Sequence, residues 1–183
     1  MNRMSAALGA LAVLAATPVA ARDLAFTARL SGTKAPTLTG SKASGAARIV
    51  AHEESQTVDI AMDVDGLTVD DLWANLRPRP MGPIHLHLYG GTDHSPAADA
   101  VLVFPVPYGE TYAPTAKGFR VRMSGMPYAK GAAIVATKAS FAEFVAALQT
   151  GKVVLNVHTN RFNDGEISGD VVPAQASGGG GVL

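Results

Sequence analysis

The sequence predicts an all-β fold, an antiparallel β-sandwich or barrel of Ig-like or Greek-key type, with one short helix before a C-terminal hairpin. Three observations predict it. Most of the chain breaks into short runs of alternating apolar and polar residues, bounded by Gly, Pro, Ser and Asn/Asp clusters. The clearest run, TVDIAMDVDG (57–66), sets Val58, Ile60, Met62 and Val64 on one face and Asp59, Asp63 and Asp65 on the other, the pattern of a half-buried antiparallel strand. A convincing helical period occurs once, near the C-terminus.

In chain order, DLAFTARLSG (23–32) alternates Leu24, Phe26 and Ala28 with mostly polar neighbours and reads as the first strand. TKAPTLTGSKASG (33–45) is a small, polar loop, AARIVAH (46–52) the second strand and 57–66 the third. In LTVDDLWANLRPRPMGP (67–83), Pro78, Pro80 and Pro83 forbid more than a turn of helix. GPIHLHLYGG (82–91) supplies a strand hemmed in by glycine and proline. DAVLVFPV (99–106) and GFRVRMS (118–124) supply two more, separated by a loop holding Pro107 and Pro114. KASFAEFVAALQTG (138–151) is the helix. Ser140 and Glu143 make its capping box, Phe141, Phe144, Val145 and Leu148 its apolar stripe, and Gly151 its stop. KVVLNVH (152–158) and GEISGDVV (165–172) then pair as a hairpin across a polar linker, with Gly165 in the turn.

Residues 1–21 read as a signal peptide: a basic start (MNR), an apolar stretch broken by Gly9 and Pro18, and a small-residue cleavage site at Val19-Ala20-Ala21. The domain is then expected over 22–173, with a disordered glycine-rich tail at 174–183, a periplasmic or secreted location, and no membrane span after cleavage. The 15 basic and 15 acidic residues cancel and form no stripe, which excludes a nucleic-acid or polybasic membrane partner. With no cysteine there is no disulfide, thiolate zinc site or cysteine nucleophile, so any metal must be held by nitrogen, oxygen or thioether sulfur.

The chemistry concentrates on histidine. Residues two apart on a strand share a face, about 6.5–7 Å apart at Cα, so His85 and His87 project together while Ile84, Leu86 and Leu88 turn to the core. The histidines' face is expected to be exposed or semi-exposed. In the C-terminal hairpin His158 shares a face with Asn156, opposite Val153, Leu155 and Val157. If that strand lies beside the H-x-H strand, three imidazoles converge, and an all-nitrogen site suits copper or zinc. Glu166, across the hairpin, is a candidate to orient one of the rings. Further candidate ligands are His94, in the GTDHSP loop, and the thioethers of Met81, Met123 and Met126. His52 ends a different strand and is left out. No G-x-S-x-G elbow, H-E-x-x-H helix, phosphate-cradling glycine loop or paired-carboxylate motif occurs, so the reading leans away from an enzyme.

GPIHLHLYGG, followed by a strand, a short helix and GKVVLNVHTNRFNDGEISGDVV, resembles the CHRD (chordin-type) domain family, which is common in exported bacterial proteins. The residues carrying the resemblance are His85-Leu86-His87, Asn156-Val157-His158-Thr159 and Gly165-Glu166-Ile167-x-Gly169, supported by SGTKAPTLTGSKASGAARIV (31–50) and the Asp65-Gly66-Leu67 turn. Together they span roughly 23–173. Two segments depart from the family pattern: 67–83 is longer and richer in proline, and 105–136 is rich in Pro, Gly and Met. The resemblance implies a binding domain. Two functions follow: a non-enzymatic exported domain holding copper or zinc on its histidines, or an envelope or extracellular protein-interaction module in which the histidines are structural.

Overall fold

The computed structural model describes residues 22–95 and 97–175. The expected signal peptide and residues 176–183 of the expected tail lie outside the described residues. Among the described residues, ten strands form one continuous antiparallel sheet, curled into a half-barrel. They are β1 (Asp23–Ser31), β2 (Ser44–His52), β3 (Thr57–Asp65), β4 (Ile84–Tyr89), β5 (Ala100–Val106), β6 (Tyr112–Pro114), β7 (Gly118–Pro127), β8 (Val153–Val157), β9 (Ile167–Asp170) and β10 (Val172–Pro173). Two short helices, α1 (Tyr128–Ile134) and α2 (Phe141–Gln149), separate β7 from β8. The all-β antiparallel class is the expected one, and of the two arrangements it left open the sheet takes the barrel-like form.

The order across the sheet is β5-β4-β8-β9-β1-β2-β3-β7-β6, with β10 also pairing β1. The meander β1-β2-β3 comes first, and the later strands add to its two sides. One face carries the core. Phe26, Ala28 and Leu30 from β1, and Val58, Ile60, Met62 and Val64 from β3, join a single cluster that also includes residues of both helices. Alternation thus becomes burial strand by strand, each large apolar side chain contributing about 1.5–3 kcal/mol when removed from water.

The helix expected at 138–151 is α2, whose capping box closes as the sequence implies. The Ser140 Oγ accepts from the Glu143 N–H at 3.3 Å, and the Glu143 carboxylate accepts from the Ser140 N–H at 2.7 Å. The second helix, α1, is an addition to the expected fold. It is seven residues long, has no side-chain cap and holds a glycine in its middle. Tertiary stacking holds it: the Tyr128 ring lies 5.9 Å from that of Phe104 and 5.0 Å from that of Phe144. A Cβ on Gly131 would strike the Phe104 ring, so this glycine lets α1 close on β5. Strand β6 was also unanticipated, inside the loop between 106 and 118. It pairs with β7, and its Tyr112 hydroxyl donates to the Val106 carbonyl at 2.8 Å. At the start of the expected tail, the Ala174 N–H donates to the Ala25 carbonyl at 2.9 Å.

The C-terminal hairpin forms as expected: β8 pairs β9 with Val157 opposite Ile167 and Val154 opposite Asp170. Both glycines of the G-E-I-x-G stretch have steric reasons to be there. Gly165 sits at φ +121 with the Asn156 side chain where a Cβ would point. On Gly169 a Cβ would meet the carbonyl of Arg29, where β1 runs alongside. Backbone cannot yield as a side-chain tip can, so Gly169→Ala should destabilise the fold by about 1–3 kcal/mol. Gly90→Ala, whose Cβ meets open space, should lie within about 0.5 kcal/mol of the parent protein. Urea unfolding of the two variants checks both values.

Candidate metal centre

Strand β4 sits between β5 and β8. Ile84 and Leu86 are fully buried in the core, so His85 and His87 point to the opposite face. Next to β5 the ladder carries a bulge: Leu86 pairs Phe104 and His87 pairs Leu102, leaving Val103 as an additional residue. Such a bulge increases local twist and re-aims neighbouring side chains. On the other side His85 is opposite Asn156 and Ile84 opposite Val157. The ladder runs one step past β8, where the His158 N–H donates to the Pro83 carbonyl at 2.9 Å. That step brings His158 beside His85, with ring centroids 4.8 Å apart.

The histidine face is not the exposed or semi-exposed one that alternation predicts: His85 is 3% exposed and His158 7%, while His87 is half-buried. The proline-rich segment 67–83 accounts for the difference at His158. Leu72 bridges to Thr159, the Trp73 N–H donates to the His158 carbonyl at 3.0 Å, and the Ala74 N–H donates to the Asn160 side-chain oxygen at 2.9 Å. The Trp73 ring lies 6.4 Å from that of His158. Prolines rule out a helix here, and the segment instead forms turns that wrap the 158–160 stretch.

One ring nitrogen from each of His85, His87 and His158 lies within 4.8 Å of the other two. The tautomers of two rings follow from their partners. His85 Nε2–H donates to the Gly82 carbonyl and His158 Nδ1–H to the Asn163 carbonyl, each at 2.7 Å. This leaves lone pairs on His85 Nδ1 and His158 Nε2. Those two atoms and His87 Nε2 are buried and have no hydrogen-bond partner among the described residues.

Burial, with repulsion from the neighbouring rings, pushes the pKa of His85 down to about 3 and that of His87 to about 4; burial lowers His158 as well. All three imidazoles are therefore neutral near pH 7, the state in which they ligate metal. No partner fixes the His87 tautomer; with its Nε2 as an acceptor like the other two, three lone pairs face one another, more than the two protons of a single water can satisfy. One cation satisfies all three. Nitrogens about 2.0–2.1 Å from one ion stand about 3.3–3.6 Å apart, so an ångström or so of side-chain closure completes the site.

The other sequence candidates lie elsewhere. Glu166 touches none of the three rings: its carboxylate accepts from the Ser41 and Thr159 hydroxyls at 2.6 and 2.7 Å, and main-chain carbonyls fix the two tautomers in its place. His94 is buried but its Nδ1 pairs with Asp170 at 2.8 Å, and its ring lies tilted against that of Tyr89, apart from the trio. Met123 and Met126 belong to the hydrophobic core, and Met81 lines a separate surface pocket with Leu76 and Ile134. His52, left out on sequence grounds, pairs with Asp23 at 2.7 Å and Asp59 at 3.2 Å. Sequence reasoning missed the carbonyls of Gly82 and Asn163 and the cover provided by Trp73. The proline-rich length of 67–83 was the signal that something unusual lay over the histidines.

No curated protein and no solved structure matches the chain. The CHRD domain model matches residues 26–171, a span that contains β4, β8, β9 and all three converging histidines. The chain belongs to the CHRD domain family.

Proposed function

We propose that this CHRD domain is an exported, non-enzymatic binding module that holds a copper or zinc ion on His85, His87 and His158, for storage, delivery or reinforcement of the fold. The single observation behind the reading is the histidine trio: one nitrogen from each ring lies within 4.8 Å of the other two, and each ring carries a buried nitrogen without a partner among the described residues. Buried polar atoms are normally hydrogen-bonded, so three such orphans in one place call for a common partner. The leader-like residues 1–21 support a periplasmic or secreted location, where a bound ion would be exchanged outside the cytoplasm. No helix among the described residues is long and apolar enough to cross a membrane.

Metal analysis of the protein purified from the periplasm tests the assignment. One equivalent of copper or zinc should be bound, and His85→Ala, His87→Ala and His158→Ala should each lower the affinity by at least about tenfold. Metal content no higher than in the triple variant would favour the interaction-module reading, with structural histidines.

The metal-free protein should also be acid-sensitive. Unfolded imidazoles titrate near their ordinary pKa of about 6.5, while folded His85 and His87 titrate at about 3 and about 4. Between those values the unfolded chain binds more protons, so stability is intact above about pH 6.5 and declines as the pH falls towards 4. The urea midpoint should therefore drop between pH 7.5 and 5. A variant with all three residues changed to Gln should show a shallower decline.

A further inference from the structure

We infer that the histidine trio is built for a monovalent ion, Cu(I), in preference to a dication such as Zn(II). The inference rests on the reading that the trio holds a metal, and it is carried by the charge and number of the available donors. All three ligands are neutral imidazoles, and among the described residues no carboxylate joins them within ligating distance. The groups that orient two of the rings are neutral as well, the carbonyls of Gly82 and Asn163. A ligating histidine donates its other N–H to a carboxylate, a main-chain carbonyl or water, and only the carboxylate offsets a dication's charge.

Here the buried carboxylate nearest in sequence, Glu166, is occupied by two hydroxyls. Among the described residues, the anion whose field reaches the trio is Asp164, acting on His158 from an exposed position. In a largely dehydrated pocket an uncompensated second positive charge is costly, because interactions there are screened far less than in water. Coordination number points the same way. Zn(II) held by three histidines needs a water as its fourth ligand, which a largely covered pocket disfavours. Among the described residues the unpartnered oxygen Asn156 Oδ1 does not replace it, being on a side chain turned into the 164–165 turn, where its Nδ2 donates to the Asp164 carbonyl at 3.1 Å. Three nitrogens suffice for Cu(I). Imidazole itself suits copper and zinc alike, so charge and donor number make the choice rather than ligand softness.

The test is an anaerobic competition titration of the full mature protein against chromophoric chelators, with Cu(I), with Ag(I) as a redox-inert monovalent probe, and with Zn(II). Cu(I) and Ag(I) should each bind at one per chain, and Cu(I) at least a hundredfold more tightly than Zn(II). His87→Glu, at the half-exposed and therefore most tolerant position of the three, adds an anion to the ligand set. It should narrow the Cu(I)-over-Zn(II) ratio at least tenfold. Zn(II) bound as tightly as Cu(I) by the parent protein overturns the preference while leaving the metal site standing. No ion retained above a His85→Ala/His158→Ala variant removes both.

Discussion

The antiparallel ladder between β4 and β8 sets Ile84 opposite Val157 and continues one step beyond, to the hydrogen bond from His158 to the Pro83 carbonyl. A strand has a side-chain period of two, so a slip of one residue in this ladder would turn His85 and His87 into the core and expose Leu86. Register is enforced from the other face. Ile84, Leu86, Leu155 and Val157 are all fully buried, and a one-residue slip would not keep them so. The hydrophobic core thus fixes where the imidazoles point, although it touches them only through the backbone.

Most strands and α2 were legible because each announces itself locally, by alternation or by a capping box. The pairing of His85-Leu86-His87 with the stretch around His158 was legible as a possibility, since side-chain parity alone says which face each residue takes. What stayed hidden was set by tertiary contact. Helix α1 has poor intrinsic credentials, with Gly131 in its centre, and forms by docking on Phe104 and Phe144. Strand β6 is three residues long, too short for alternation to register. The burial of the histidine face depends on where 67–83 folds, and a proline-rich segment carries no periodicity from which to read its destination. The ring tautomers depend on carbonyls of Gly82 and Asn163, and every residue in any chain offers a carbonyl.

The covered face also runs against ordinary sheet design. An antiparallel strand with one apolar side needs nothing over the other, because water satisfies polar groups there. Here backbone hydrogen bonds from Trp73 and Ala74 hold a cover over His158 and keep solvent from nitrogens that have no other partner. Burying an unsatisfied polar group costs about 1–3 kcal/mol on the scale of protein substitutions. Places where a chain breaks a local rule in this way are where function is expected.

The strand order has a consequence for synthesis. By sheet hydrogen bonds, β4 and β5 reach the β1-β2-β3 meander through β8 and β9, the eighth and ninth strands to be made. A nascent chain that has emerged only as far as α2 holds two disconnected β pieces with a gap two strands wide between them. The keystone arrives late, and it carries His158 with it. The same event that joins the two halves of the sheet therefore assembles the pocket, so a chain cut short before residue 153 would lack both its continuity and its ligand set.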